Sequence, residues 1–326
     1  MRATALALDP ALYQRNPLHG ETVQWMEKNC YFDVWIELIH ALGCDPIAVV
    51  PVVVSLDFEG DQWTFYKPPH DELRELYGID VTELNAWRPM VEHALEHLPH
   101  GKFISAEADA YWLPDVSGTD YRTNHVKSTI VLVDVDTEAK RLRYFHNASL
   151  WELEGEDFDR IFEPPYPGLP FFAELVRVDR LVRRPPAELA AMSRKYLRRH
   201  LDRRPDDNPM ERFRARFERE LTSLQDKGLA HYHAWAFATL RQLGSASELM
   251  ATYVRWLAEN DTTLGANAAS ILPAAEAYER ISAGAKTFIL KAARAVNAKR
   301  PLDAGPTFDD WSAAWQTAAK TLDALR

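Results

Sequence analysis

The spacing of apolar residues soon after the start of the chain predicts a helix. Apolar side chains recur at steps of three and four residues, at Tyr31, Trp35, Leu38, Ile39 and Leu42. Asn29 is suited to cap the first turn through its side-chain oxygen, and Gly43 is suited to end the helix. Cys30 is therefore expected at the first helical position.

Further along, β-branched and aromatic residues between turn signals predict extended segments. These are residues 47–56, 62–66, 102–108, 126–134 and 141–146. Short helices are predicted over residues 71–77, 82–98 and 151–162. Residues 109–124 are polar and are expected to form a loop, and the Pro-rich segment 163–172 follows the last of these elements.

From residue 186 the pattern becomes helical and strand signals disappear. Seven helices are predicted, over residues 187–201, 210–224, 230–243, 247–257, 266–280, 283–299 and 308–325. The predicted organisation is an α+β domain over residues 1–180, followed by an all-α domain over residues 181–326.

Composition is that of a globular protein and argues against several classes of function. The 326 residues are 47% hydrophobic, which allows a substantial core. No apolar run approaches the ~18 residues of a membrane helix, and the N-terminal residues lack the apolar core of a signal peptide. A cytoplasmic protein without a membrane partner is therefore expected. The net charge of −10 is concentrated in the first 184 residues, which argues against nucleic-acid binding.

The two cysteines define the candidate chemistry. Cys30 and Cys44 fall at opposite ends of the predicted helix, about 20 Å apart at ~1.5 Å per residue, so a disulfide between them is not expected. Two cysteines cannot form a four-cysteine zinc site either. At a helix start, the first-turn N–H groups and the helix dipole favour negative charge on the sulfur of Cys30.

Cysteine-dependent acyl chemistry also needs an imidazole, a polar group that orients it, and a donor for the oxyanion. His125 lies at the entry to a predicted hairpin and Asn147 at its exit, so the two can lie side by side. Gln24, six residues before Cys30, can present an amide. Taken singly, these residues have ordinary interpretations as a buried cysteine, a surface histidine and a turn asparagine. Together they predict a Cys30–His125–Asn147 triad assisted by Gln24.

The same residues carry a resemblance to known families. Gln24-x5-Cys30, with polar Asn29 before the cysteine, resembles the peptidase domain of bacteriocin-processing transporters, where that preceding residue is normally acidic. A later stretch, GKFISAEADAYWLP…NHVKSTIVLVDVDTEAKRLRYFHN, is similar to the N-terminal domain of the butirosin-pathway acyltransferase. The whole chain is similar to a bacterial family associated with stand-alone amino acid:carrier-protein ligases. The resemblance implies a papain-like cysteine-enzyme domain in the first 180 residues.

By this resemblance, Cys30 is the nucleophile, His125 the base, Asn147 the orienting residue in place of the usual Asp, and Gln24 the oxyanion donor. The implied reaction moves an acyl or aminoacyl group from an acidic carrier protein, through Cys30, to an amine or other small-molecule acceptor. A thioester is already activated, so no metal and no cofactor are expected, and the phosphopantetheine arm would belong to the carrier protein. The alternatives are a cysteine peptidase or amidase, and a non-catalytic scaffold that binds the carrier protein.

Candidate binding residues lie in both domains. Asp109, Tyr111 and Trp112 fall in the loop before His125, where substrate contacts often arise in such folds. A run of basic residues begins at Arg194, and it is either a solvated helical face or a docking patch for an acidic carrier protein. The docking candidates are Arg194, Arg198, Arg199 and Arg203. Base-stacking aromatic residues are not interleaved with them, which disfavours RNA.

Two histidine motifs have weaker functional interpretations. His93, Glu96 and His97 spell H-x-x-E-H, an inverted zincin signature, but the first two are predicted to lie opposite the apolar stripe of their helix and to face solvent. A polar surface is therefore favoured over a zinc peptidase. His231 and His233 could line a pocket, but they fall on different faces of a helix, and ordinary packing is favoured.

Overall fold

The computed structural model describes residues 1–163 and 171–326, so most of the Pro-rich segment predicted from the sequence lies outside the described residues. The chain divides into two compact units. The first comprises residues 1–21, 29–46 and 68–184, and the second comprises residues 22–28, 47–67 and 185–326. The second unit therefore includes two short segments that precede residue 68, both of which the sequence analysis placed in the first domain.

The first unit is built around an antiparallel sheet, as the α+β prediction required. Within the described residues it has seven strands: β1 (Arg2–Thr4), β2 (Asp80–Glu83), β3 (Lys102–Asp109), β4 (Lys127–Asp136), β5 (Arg141–His146), β6 (Ser149–Glu154) and β7 (Ala173–Arg177). The strand order is β2-β7-β3-β4-β5-β6, and β1 pairs with β4. The hairpin predicted between His125 and Asn147 is thus the β4–β5 pair.

The two faces of this sheet carry different residues because side chains alternate along each strand. One face holds Ile104, Ala106 and Ala108 of β3, which pack with Met90 and Ala94 in a single apolar cluster. The opposite face carries the alternate residues of β3, Phe103, Ser105, Glu107 and Asp109. Polar side chains on this second face belong to the candidate site described below.

The first unit also contains four α-helices among the described residues: α1 (Cys30–Ala41), α2 (His70–Tyr77), α3 (Met90–His97) and α4 (Glu156–Arg160). Cys30 begins α1, as the apolar pattern predicts. Every residue of α1 from Tyr31 to Ile39 is buried, including Asp33 and Glu37. The helix is therefore central, and it is not the amphipathic surface helix that the apolar stripe alone would indicate.

One predicted element of the N-terminal half is wrong, and two others are right only in part. Residues 46–55, expected to be extended, form a 3-10 helix, because a buried Val-rich run does not by itself distinguish a strand from a helix. The helix predicted from Thr82 begins at Met90, since residues 80–83 instead pair with β7, a strand the pattern did not reveal. The helix predicted over residues 151–162 is replaced by most of β6 and the short α4.

The second unit is helical, as predicted. Its α-helices among the described residues are α5 (Pro186–Leu201), α6 (Pro209–Lys227), α7 (Leu229–Ala236), α8 (Gln242–Asn260), α9 (Leu272–Asn297) and α10 (Gly305–Asp323). A π-helical turn, Phe237–Arg241, joins α7 to α8, and a 3-10 helix, Thr262–Ile271, precedes α9. The core includes Phe217, Phe288, Phe308 and Trp311, with neighbouring ring centroids 5.1–5.8 Å apart.

One long helix replaces the two that were predicted between residues 266 and 299. The predicted break falls near Gly284, which lies inside α9 and faces the ring of Trp311. A Cβ at this position would overlap the Trp311 indole, so the glycine permits close packing of α9 and α10 and does not end a helix. In the described part of the chain, no helix is both long enough and apolar enough to span a membrane.

Candidate functional site

Cys30 occupies the first position of α1 and is partly exposed. The side chain of Asn29 caps the helix by accepting a hydrogen bond from the backbone N–H of Phe32 at 2.8 Å. Cys44, in contrast, is buried with its sulfur 3.8 Å from the Val182 carbonyl oxygen, and burial raises the pKa of its thiol. Of the two cysteines, Cys30 is the one whose setting suits a nucleophile.

His125 is held by a carboxylate at the end of β3. Its Nδ1 lies 2.6 Å from Oδ2 of Asp109, whose side chain is only 7% exposed, whereas the imidazole is 61% exposed. The other oxygen of Asp109 accepts the backbone N–H of Tyr111 at 3.0 Å. The carboxylate is thus fixed, and it leaves Nε2 of His125 available for a proton transfer.

Aromatic residues support the same imidazole. The ring of Tyr111 stacks on His125, with centroids 4.4 Å apart and planes within 10°, and Trp112 packs against Tyr111 at 4.9 Å. Arg122 places its guanidinium 4.3 Å from the centroid of the Trp112 ring and donates a 2.6 Å hydrogen bond to Asp157. The loop between β3 and β4 is therefore a packed support. Of the three predicted substrate residues, Asp109 and Tyr111 contact His125 directly, and Trp112 packs against Tyr111.

The start of α1 and the His125–Asp109 pair lie over one face of the sheet. Tyr31, the second residue of α1, donates its hydroxyl hydrogen bond to Glu174 at 2.9 Å. Glu174 pairs directly with Ser105 of β3, and Ser105 and Asp109 point to the same side because they are four residues apart. The backbone positions of Ser105 and Asp109 are therefore about 13 Å apart along β3, at ~3.3 Å per residue. Within the described residues, no hydrogen bond joins Cys30 to His125.

Tyr31, Glu174 and His70 form a polar cluster next to the start of α1. Nε2 of His70 lies 3.0 Å from the Tyr31 hydroxyl and 3.3 Å from a Glu174 oxygen. Burial, together with the charge of Glu174, raises the pKa of Tyr31, which therefore remains a hydrogen-bond donor at neutral pH. No sequence pattern reveals this cluster, because its members come from three separate elements.

Asn147 does not orient His125 in the structure. Within the described residues the side chain bonded to the imidazole is Asp109, and Asn147 lies in the two-residue turn between β5 and β6 with φ of 47°. Asparagine tolerates this left-handed conformation better than most residues, which accounts for its presence in the turn. The linear order of the hairpin suggested Asn147, whereas the antiparallel pairing of β3 with β4 brings Asp109 to the histidine.

Gln24 belongs to the second unit, in the short segment 22–28. Its backbone N–H donates to Glu248 at 2.6 Å, and its carbonyl accepts a bond from Nζ of Lys286 at 2.9 Å. Its side chain helps to line a cavity of that unit. The role of oxyanion donor assigned to Gln24 stays a prediction.

A serine, a histidine and an aspartate form a second hydrogen-bonded chain that the sequence analysis missed. Oγ of Ser128 lies 2.6 Å from Nε2 of His146, and Nδ1 of His146 lies 2.6 Å from Asp115. Tyr144 also donates to Asp115, at 2.6 Å, and burial raises its pKa well above the ordinary value. Although the connectivity is that of a serine hydrolase triad, the side chains of His146 and Asp115 are 1% and 2% exposed. This burial favours a structural role that ties the loop after β3 to β4 and β5.

Another buried histidine fixes α1. The two ring nitrogens of His19 contact Asp33 at 3.0 Å and Glu37 at 2.5 Å, and all three side chains are fully buried. Tyr13 and the backbone N–H of Asn16 also donate to Glu37. Burial by itself lowers the pKa of His19, but the hydrogen bonds and charges of the two carboxylates raise it overall. The sequence signal for this cluster was the presence of two acids, Asp33 and Glu37, four residues apart in a largely apolar helix, since buried acids need a partner.

The H-x-x-E-H motif differs from its prediction in one respect. His93 is buried, at 2% exposure, where a solvent-facing position was expected, and its ring is parallel to that of His97 at 6.3 Å. Desolvation and the charge of Arg88 lower the pKa of His93. Among the described residues, no group of three or more His, Cys, Asp or Glu side chains is placed to hold a metal ion.

Much of the basic run of the second unit is engaged in contacts within the chain. Arg194 pairs with Asp261 at 2.9 Å, and Arg198 donates to the carbonyl oxygen of Leu325 at 2.7 Å. Further along, salt bridges hold Arg204, Arg212, Arg214 and Arg216. The docking candidates that are exposed are Arg198, Arg199 and Arg203.

These observations define a protein of two units, one mixed α/β with an antiparallel sheet and one helical. Family models match both regions: the DUF1839 N-terminal domain matches residues 14–178, and the DUF1839 C-terminal domain matches residues 186–324. The chain therefore belongs to the DUF1839 family. A comparison with curated proteins finds no match.

Proposed function

We propose that this protein is a papain-like cysteine acyltransferase, which moves an acyl or aminoacyl group from a carrier-protein thioester to an amine through Cys30. The observation that supports this best is the His125–Asp109 pair, with its exposed imidazole, over the sheet face on which the Cys30 helix begins. Asp109 takes the orienting role in this proposal, in place of Asn147. The aromatic support from Tyr111 keeps the ring in one orientation.

The chemistry proceeds in two balanced steps. The Cys30 thiolate attacks the thioester carbonyl carbon and forms a new C–S bond, and the bond to the phosphopantetheine sulfur breaks. That sulfur leaves as a thiol after taking the proton of the His125 imidazolium. An amine then attacks the acyl-enzyme, His125 accepts a proton from the amine, and Cys30 leaves as a thiolate. No resident cofactor is required, because the thioester is already activated.

Substrate binding completes the arrangement in this proposal. Catalytic contacts are often long in a resting enzyme and tighten when the substrate is bound. In the bound state the Cys30 sulfur faces the thioester carbonyl carbon, and the imidazole faces the leaving sulfur to which it gives its proton. His125 lies just outside β4, at the end of a loop, which is the part of the site best able to adjust.

The acyl donor in this proposal is an acidic carrier protein, which binds the exposed arginines in the last turn of α5 and just after that helix. Arg198, Arg199 and Arg203 are solvent-exposed and follow one another within six residues. Opposite charges on two surfaces increase association rates and select partners. Reversing the charge of Arg203 should raise the KM for the carrier protein and weaken its dependence on salt, whereas Arg214→Gln, which removes an arginine already paired with Glu218 and Asp309, should change neither.

Intact-mass spectrometry tests the acyl-enzyme directly. The protein is incubated with an acyl-loaded carrier protein, and an adduct with the mass of the acyl group is expected on wild type and on Cys44→Ala. Cys30→Ala and His125→Ala should carry no adduct. An adduct that persists in Cys30→Ala would overturn the proposal, because the group would then be attached elsewhere.

The same experiment distinguishes the two alternatives. A hydrolase releases the free acid at a rate that does not depend on added amine, whereas a transferase converts the adduct to an amide when the amine is supplied. A non-catalytic scaffold forms no adduct, and its Cys30 reacts with iodoacetamide at the same rate in wild type and in His125→Ala. Cys44 is not a suitable reference for this comparison, because it is buried and burial raises the pKa of its thiol, so it reacts slowly in either case.

A further inference from the structure

The second unit contains an open cavity that the acyl-transfer proposal does not use. Its volume is about 610 Å³, which lies within the range of about 300–1,000 Å³ typical of small-molecule sites. The lining residues all belong to this unit, and the ones that matter here are Trp25, Met26, His233, Phe237, Lys286 and Leu290. His233 thus lines a pocket, although its sequence pattern favoured ordinary packing.

Large apolar side chains are unusually exposed around this cavity. Phe237 is 62% exposed, Leu290 is 60% exposed and Met26 is 42% exposed. Phe237 begins the π-helical turn Phe237–Arg241, and such turns occur frequently at functional sites. Clustered exposed apolar residues around one concave surface are more informative than single ones, since they indicate an apolar ligand.

The wall formed by the segment 22–28 is fixed in place. Nε1 of Trp25 donates to Oγ of Ser282 at 2.9 Å, and the backbone N–H groups of Gln24 and Trp25 both donate to Glu248. The indole lies directly against Gly244, where a Cβ would overlap the ring. The cavity wall is therefore preformed, and a ligand would not need to order it.

One cation at the cavity has no acidic partner within the described residues. Nζ of Lys286 lies 4.6 Å from the Trp25 ring centroid and donates one hydrogen bond, to the carbonyl oxygen of Gln24. An ammonium group has three donors, so two are left for a ligand. Arg241, in contrast, is already bonded to the Glu27 carboxylate and to the carbonyls of residues 27 and 28.

We infer that this cavity binds a medium-chain carboxylate, with its hydrocarbon chain against Phe237, Leu290 and Met26 and its carboxylate on Lys286. An apolar cavity whose described lining includes a lysine without an acidic partner is complementary to an amphiphile with a single negative charge. His233, exposed in the same lining, provides a further donor for the head group. The inference does not depend on the reaction proposed for Cys30.

Isothermal titration with decanoate and decanol tests this inference on the full chain. Wild type should bind both, and decanoate more tightly. Lys286→Gln should weaken decanoate binding about fivefold, as for the loss of one exposed ion pair, and should leave decanol binding unchanged. Phe237→Ala should weaken both ligands about tenfold, because it removes apolar contact common to both.

Lys291→Gln is the matched control, since Lys291 is an exposed lysine of the same helix that does not line this cavity. It should bind decanoate as wild type does. The inference is wrong if wild type binds no carboxylate of eight to fourteen carbons below about 1 mM, or if Lys286→Gln and Phe237→Ala bind decanoate as wild type does. Cys30→Ala should retain binding, which separates this result from the outcome of the acyl-enzyme experiment.

Discussion

Replacing His19 by Ala should destabilise the first unit more than replacement of any exposed histidine. The imidazole of His19 contacts the buried carboxylates of both Asp33 and Glu37, and none of the three side chains is exposed to solvent. The substitution leaves two acids inside the core of α1 without their shared partner. Such acids either remain charged without solvation or take up protons, and both outcomes cost free energy.

The magnitude follows from the partners that remain. Removing one member of a buried ion pair typically costs about 3–5 kcal/mol. Glu37 would keep the Tyr13 hydroxyl at 2.6 Å and the Asn16 N–H at 3.1 Å, which reduces its share of the penalty. A loss of about 3 kcal/mol is therefore expected, and it corresponds to a decrease of roughly 6–12 °C in the melting temperature for a unit of this size.

The pH dependence gives the prediction a second readout. Because the folded pKa of His19 is raised above its unfolded value of ~6.5, its stabilisation is complete below that pH and is lost as the pH rises through the folded pKa. The difference in unfolding free energy between wild type and His19→Ala should therefore decrease as the pH is raised.

Urea unfolding followed by circular dichroism, together with hydrogen exchange of the α1 amides, measures both effects. His40→Ala is the matched control, because His40 lies on α1, is partly exposed, and makes a hydrogen bond to the Gln14 carbonyl oxygen and an edge contact with the Tyr13 ring. It should cost less than about 1 kcal/mol. The reasoning is refuted if His19→Ala unfolds like His40→Ala, or if the difference from wild type grows with pH.

Three further substitutions test other parts of the structure. Asp109→Asn should slow acyl-adduct formation roughly tenfold, from the loss of about 1.5 kcal/mol in a partly buried charge-assisted bond, whereas Asn147→Ala should change the rate little. The reverse order would return the orienting role to Asn147. Gly244→Ala should destabilise the second unit by about 1–3 kcal/mol in thermal melts, because the added Cβ overlaps the Trp25 ring. Unchanged stability would show that the indole can shift. Ser128→Ala should lower the free energy of unfolding by about 1–3 kcal/mol, because it leaves the buried Nε2 of His146 unpaired. A fluorophosphonate probe should not label Ser128 in wild type, and labelling would show that this serine is a nucleophile.

Elements with strong local signals were predicted well from the sequence. The Asn29 cap and the apolar spacing after it predicted the start of α1 at Cys30. The hairpin strand Arg141–His146 was predicted with its observed bounds, because it contains adjacent aromatic residues and follows a clear turn. The helices of the second unit follow the same rule, since an apolar period of 3.6 residues is a local property.

Elements that depend on distant partners could not be predicted in this way. β2 is a strand because residues 80–83 pair with β7, nearly a hundred residues further along the chain. Its sequence, Asp-Val-Thr-Glu, has the polar residues typical of a helix start. Likewise, the Val-rich residues 47–56 have a composition suited to burial, which both strands and helices satisfy. For β2, tertiary pairing outweighs local preference.

The candidate site shows the same division between local and distant information. The residue types needed for cysteine chemistry are visible in the sequence, but the partner of His125 is decided by register: β3 and β4 pair so that Asp109 lies opposite Lys127, two residues after the histidine. A strand shifted by one residue would turn Asp109 to the other face of the sheet and leave His125 without a carboxylate. The orienting group is therefore a consequence of strand pairing, and this explains why a hydrogen bond that sequence order assigned to Asn147 is made by a residue first predicted to contact substrate.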